Sequence, residues 1–164
     1  MTNQRTDKHF LELIHRHQSI LHKICFAYCK NRSDREDLQQ EIVLQLWKSY
    51  PSFRGNSQFS TWMYRVALNT AINRTSKPGI LTDSSKAPEA AYDPGDDYEL
   101  SEEIRILHMA IARLKKIEKA IILLWLEELS YEEIAETIGI TAKNVSVRIV
   151  RVKTRLAEII QKLQ

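Results

Sequence analysis

Residues 130–156 read SYEEIAETIGITAKNVSVRIVRVKTRL, two helical patterns that meet at a turn. Ser130 and Glu133 have the spacing of a capping box, in which hydroxyl and carboxylate each satisfy the other's free amide. Ala135 offers a small side chain where two helices cross. Four residues on, Gly139 tolerates the positive φ that a tight turn between them requires. Ile134, Ile138, Ile140, Val145 and Ile149 are spaced to close a core between the helices, and Thr141 can cap the second. No period-two pattern competes anywhere in the chain. Gly and Pro number only four each among 164 residues, so the expectation is an all-α protein.

The arrangement is that of a helix-turn-helix. Its second helix presents Lys143, Asn144, Val147 and Arg151 on one face, suited to a major groove. Arg148, Lys153 and Arg155 lie where they could reach phosphates. From residue 142 onward there are six Lys and Arg against one acid, while the preceding helix is acid-rich. The bland reading is an amphipathic helix with a solvated basic face; the charge asymmetry after an Ala-x-x-x-Gly turn favours DNA.

Working outward, the chain divides by composition. Residues 75–99, TSKPGILTDSSKAPEAAYDPGDDYE, hold three of the four prolines and two of the four glycines, which is linker chemistry. Two small helical domains, 1–74 and 100–164, are expected on either side. The net charge of +3 averages unlike parts: residues 1–74 carry +5, residues 75–103 carry −6 and residues 104–164 carry +4. Leu100, Ile104, Leu107, Ile111 and Leu114 form an apolar seam, and one helix over 100–127 satisfies the pattern as well as two.

In the first half, Ser33 and Glu36 have capping-box spacing, followed by Leu38, Ile42 and Leu46, with Val43 and Trp47 also in helical step. Pro51 and Gly55 punctuate a short loop. The next helix carries Phe59, Trp62, Met63, Val66 and Thr70 on one face and Arg65, Asn69 and Asn73 on another. Cys25 and Cys29, four apart in an apolar pattern, read as buried free thiols. The longest apolar run, Ala120 to Leu126, is far short of a membrane span, and the N-terminus lacks a signal peptide's apolar stretch, so a cytoplasmic protein is expected.

Residues 34–74 strongly resemble region two of bacterial extracytoplasmic-function sigma factors, of the sigma-70 family. The resemblance rests on Asp37-Leu38-x-Gln40-Glu41-x-x-Leu44-x-x-Trp47, then Phe53-x-Gly55-x-Ser57, then Phe59-Ser60-Thr61-Trp62-x-Tyr64-Arg65. The helix-turn-helix, with its string Ser130 to Ala135, resembles region four of the same family. The resemblance implies a region 2 helical bundle and a region 4 helix-turn-helix joined by a flexible acidic linker. The implied activity is promoter-specific initiation: recognition of −35 DNA and melting of −10 DNA on core RNA polymerase. It implies docking of Asp37, Gln40, Glu41 and Leu44, one stripe at i, i+3, i+4 and i+7, on the polymerase β′ clamp, with the β flap as a further polymerase contact. It places −10 DNA at Phe53, Arg54, Asn56, Ser57, Arg65 and Asn69, with Arg74 also available to phosphates. The −35 DNA then falls to Lys143, Asn144, Val147, Arg148, Arg151 and Arg155. Phe53, in a loop beside Pro51 and Gly55, reads equally as a hydrophobic plug or a base-stacking surface. The acidic linker suits the basic walls of polymerase channels, or is simply soluble.

Region four usually opens with Leu-Pro and an Arg shortly after; here the run is Leu114-Lys115-Lys116-Ile117-Glu118-Lys119, which leaves the helix break open. The family also implies an anti-sigma factor as partner. No cofactor, metal or small-molecule substrate is expected, and no catalytic residue. One Glu-x-x-His pair, Glu12 to His15, lacks the second that a di-iron bundle needs, and no phosphate loop or hydrolase motif occurs. The competing function is a two-domain helix-turn-helix regulator that works without polymerase.

Overall fold

A computed structural model of the chain describes residues 2–75 and 101–164. Among the described residues there are eight α-helices and no strand. The first module comprises α1 (Thr2–Arg16), α2 (Gln18–Tyr28), α3 (Arg32–Ser49) and α4 (Phe59–Thr75); the second comprises α5 (Glu102–Ile111), α6 (Lys116–Leu126), α7 (Tyr131–Ile138) and α8 (Ala142–Leu163). Of the expected linker 75–99, only Thr75 is described, at the end of α4; the rest, with Leu100, lies outside the described residues.

In α3 the buried row is Arg35, Leu38, Ile42 and Leu46, at steps of three and four, which turns one face inward. The helix starts two residues earlier than the Ser33 pattern suggests. Asn31 is the cap, its side-chain oxygen accepting from the Asp34 N–H at 2.8 Å. Arg35 is buried because its charge has work at the end of α2. Its guanidinium donates to the Cys29 and Lys30 carbonyls at 3.2 and 3.4 Å and lies 4.4 Å over the Phe26 ring. In α4 the centre of the buried face is Met63, Tyr64, Ala67, Leu68 and Ala71, displaced from the expected Phe59–Thr70 row. The two alanines let α4 pack closely across α2 and α3.

The second module settles the break at Leu114. The α5 helix ends at Ile111, Lys115 is extended (φ −72°, ψ 160°), and the Glu118 carboxylate accepts from the Lys115 N–H at 3.3 Å. A capping carboxylate marks the break here, at a run that has no proline.

The buried residues of both modules form one continuous core. Polar contacts clasp its rim. The Tyr28 hydroxyl donates to the Lys116 carbonyl at 2.7 Å, and Tyr64 donates to Glu127 Oε1 at 2.7 Å. Lys23 Nζ reaches the same carboxylate oxygen at 3.1 Å. Burial, and for Tyr64 the bond to Glu127, pushes both phenols well above their ordinary pKa. Burial likewise raises Cys25 to about 12 and Cys29 to about 11, so both thiols stay protonated near neutrality.

Lys119, half-buried with its ammonium 5.1 Å over the Tyr28 ring, has its pKa lowered by burial from 10.5 to about 8. Between those values the unfolded chain binds more protons than the folded one, so stability contributed by this residue rises with pH there. Below pH 8 the folded chain carries the full cost of the buried charge. Lys119→Met is therefore expected to stabilise the protein at pH 7 by about 1–3 kcal/mol. The gain over wild type should fade between pH 8 and 10.5, as measured by urea unfolding of both proteins across that range.

Candidate functional site

Three surfaces collect the candidate residues. On α3, Asp37 and Gln40 are exposed, Glu41 is half-buried and Leu44 is 49% exposed. They form the expected stripe, and it borders an open groove of about 630 Å³ between α1 and α3. Phe10, Leu11, Val43, Leu44 and Trp47 give the groove an apolar floor, while Glu36, Gln39 and Gln40 rim it. The Phe10 ring meets Trp47 edge-on at 5.2 Å, which holds the indole in place. The sequence pattern does not place α1 beside this stripe; Phe10, buried, and Leu11, 61% exposed, line the groove from that helix.

Arg74, read as available to phosphates, bonds Glu41 at 3.4 Å and approaches Asp37 at 4.0 Å, so it orders two carboxylates of the α3 stripe.

The second surface begins at the 3-10 turn Tyr50–Ser52, closed by the Ser52 hydroxyl donating to the Ser49 carbonyl at 2.6 Å. Gly55 takes φ +72°, and Arg54, Asn56 and Ser57 are exposed around it. Phe53 is half-buried in an aromatic cluster, 5.1 Å from Trp62, 5.9 Å from Phe59 and 6.4 Å from Tyr50. This contact set makes Phe53 a plug that fixes the loop on α4. Phe59 and Trp62 serve the same cluster. Arg65 and Asn69, one turn apart on α4, are both exposed.

The third surface is the α7–α8 unit. Ser130 Oγ accepts from the Glu133 N–H at 3.1 Å, and the Glu133 carboxylate accepts from the Ser130 N–H at 2.8 Å. Gly139 ends α7 at φ +84°, and Thr141 Oγ1 caps α8 by accepting from the Asn144 N–H at 3.1 Å. Val145, Ile149, Val152 and Leu156 turn inward. Lys143, Asn144, Val147, Arg148 and Arg151 are exposed, as is Val150.

Two of the basic residues read as phosphate contacts are held elsewhere. Arg155 Nη1 pairs with both Glu118 oxygens at 2.6 and 2.9 Å, and Lys153 Nζ sits 4.0 Å over the Trp125 ring. Both tie the middle of α8 to α6. Among the described residues no group of three or more His, Cys, Asp or Glu is gathered as a metal site, and no helix is long and apolar enough to cross a membrane.

Comparison with known proteins matches Sigma-70 region 2 to residues 13–77 and Sigma-70, region 4 to residues 104–156. The chain is 33% identical to the ECF RNA polymerase sigma-E factor of Haemophilus influenzae, over 98% of this chain and 92% of that protein. It is 34% identical to the ECF RNA polymerase sigma-E factor of Escherichia coli, over 95% and 88%. In fold it is similar to the sigma factor RpoE solved with the anti-sigma factor NepR from Bartonella quintana, with a TM-score of 0.64, 21% identity and coverage of 94% and 98%. It is also similar to CnrH in complex with the cytosolic domain of CnrY, with a TM-score of 0.62 and 20% identity, over 95% and 90%. With both regions matched in order, and relatives a third identical along nearly their whole length, the chain belongs to the extracytoplasmic-function sigma factors of the sigma-70 family.

Proposed function

We propose that the three surfaces divide the work of a sigma factor. The stripe Asp37, Gln40, Glu41 and Leu44, extended by the groove against α1, docks on the β′ clamp of core RNA polymerase. The loop residues Phe53, Arg54, Asn56 and Ser57, with Arg65 and Asn69, receive melted −10 DNA, Phe53 by shaping the loop. The helix α8 reads −35 DNA through Lys143, Asn144, Val147, Arg148 and Arg151. Arg155 serves DNA only once it leaves Glu118. The observation that carries the reading is the capped α7–Gly139–α8 unit, whose second helix presents Lys143, Asn144, Val147, Arg148 and Arg151 outward from its first three turns. The protein works without chemistry of its own, in the cytoplasm, and is held by an anti-sigma factor, as RpoE is by NepR. A regulator independent of polymerase is not favoured, since residues 13–77 match a polymerase-subunit region.

Spacing adds a mechanical requirement. Elements centred near −35 and −10 lie roughly 85 Å apart along B-DNA, at about 34 Å per ten base pairs. A compact chain of this length has a radius of gyration of about 15 Å. The clasped modules cannot reach both elements at once. The segment 76–100, fully extended at about 3.4 Å per residue, spans roughly 85 Å, so parting the modules makes both reachable.

The test is to mix the purified chain with sigma-free core polymerase and a promoter library and to map transcript starts. Specific initiation supports the reading; absence of both core binding and transcription from folded protein ends it. For the −10 surface, Asn69→Ala should slow open-complex formation about tenfold, one base contact being worth roughly 1–3 kcal/mol, with little change in closed-complex affinity. Equal effects on the two steps would remove Asn69 from base capture.

A further inference from the structure

The outward line of α8 runs through Lys143, Val147, Val150 and Thr154, opposite the buried Val145, Ile149, Val152 and Leu156. The ends of that line are polar and its middle is two valines. Val150 is 64% exposed, the most of any large apolar side chain among the described residues, and Val147 is 44% exposed. A β-branched residue at a solvated helical position gains nothing from propensity, and neither valine has packed into the core.

The surroundings narrow what could cover them. Between residues 142 and 157 the chain has five Lys and Arg and no acid, and Arg148 and Arg151 flank the valines. An apolar protein surface laid here would strip water from those guanidiniums without pairing them. A duplex pairs them with phosphates and base edges. Of the groups that base pairs display in the major groove, only the thymine C5-methyl is apolar.

We infer that Val150, with Val147 beside it, contacts thymine methyl groups in the −35 element and makes this helix selective for thymine at those positions. The inference rests on the assignment of α8 to −35 DNA. The two valines are one helical turn apart, so the same face meets neighbouring base pairs while Lys143 and Arg151 hold the strands on either side. Burial of one methyl group corresponds to about a fourfold difference in affinity.

The experiment uses holoenzyme made with the full-length chain. It first selects its −35 duplex from a randomised pool. Each thymine of the selected element is then replaced by uracil, which deletes the methyl and keeps the pairing. Wild-type affinity is expected to fall about fourfold at one position or more. Val150→Ala should lose a similar factor on the thymine duplex and nothing further on uracil at one of those positions. Val150→Thr, nearly equal in shape, should retain part of the preference, and both variants should melt like wild type because the site is exposed.

Three outcomes would overturn the inference: an equal uracil cost in wild type and Val150→Ala at every position, a selected element without thymine, or a Val150→Ala loss confined to core-polymerase binding without DNA. Arg151→Ala on the same duplexes keeps the two readings apart. If it weakens binding while Val150→Ala does not, only the methyl contact falls; if neither matters, α8 is not the −35 reader.

Discussion

Leu44→Asp is expected to abolish binding to core RNA polymerase while leaving the protein folded. Leu44 is 49% exposed, so a carboxylate there stays in water and should change stability by no more than about 0.5 kcal/mol. On docking, the same carboxylate would be driven into an apolar patch shared with Val43, Trp47 and Leu11. Central apolar anchors carry most of an interface's energy, and losing one typically costs 2 kcal/mol or more. With the added cost of burying a charge, the fall in affinity should be at least about a hundredfold. Fluorescence titration with core polymerase, beside a thermal melt, separates binding from folding. The control is two residues on: Leu46 is fully buried, and Leu46→Asp should unfold the first module. If Leu44→Asp binds core within threefold of wild type, the α3 stripe is not the docking surface.

Arg151 and Arg155 lie one turn apart on α8, yet their alanine variants should fail in opposite ways. Arg151 is exposed on the outward face beside Val147, and Arg151→Ala should weaken −35 duplex binding about 10- to 100-fold with an unchanged melt. Arg155 is spanned by Glu118, whose side chain is only 17% exposed and which also caps α6. Arg155→Ala leaves that carboxylate without its cation, and should lower stability by about 1 kcal/mol while changing DNA affinity little. Filter binding and urea unfolding on the two variants decide the matter. A large DNA defect in Arg155→Ala, with stability intact, would mean that Glu118 releases the arginine on promoter DNA.

What the sequence made legible was local. Gly139 in the left-handed region, Thr141 as cap, the Ser130–Glu133 box and the inward rows of α3 and α8 all follow from steps of three and four and from which residues tolerate a turn. The exposed candidates Asp37, Gln40, Leu44 and Arg151 follow as the complement of those rows. What escaped depends on residues far apart in the chain. Arg155 and Glu118 are 37 positions apart, Arg74 and Glu41 are 33 apart, and Tyr64 and Glu127 are 63 apart. Helical period carries no information about such pairs, so two arginines counted as free for phosphate are bound to carboxylates. The start of α3 was misplaced for a related reason: Asn31 and Ser33 are both competent caps, and Arg35 packing on Phe26 selects the earlier one.

The clasp between the modules has an energetic consequence for a surface that never meets DNA. If promoter and polymerase hold the modules apart, the free energy of their packing is subtracted from the observed affinity. Each 1.4 kcal/mol of packing then corresponds to tenfold weaker apparent binding. The hydroxyl that Tyr64 donates to Glu127, worth about 1 kcal/mol, can therefore set promoter affinity several-fold from inside the protein. Substitutions at Lys23, Tyr28, Tyr64 and the α6–α7 turn become a means of tuning output without touching the residues proposed to meet DNA.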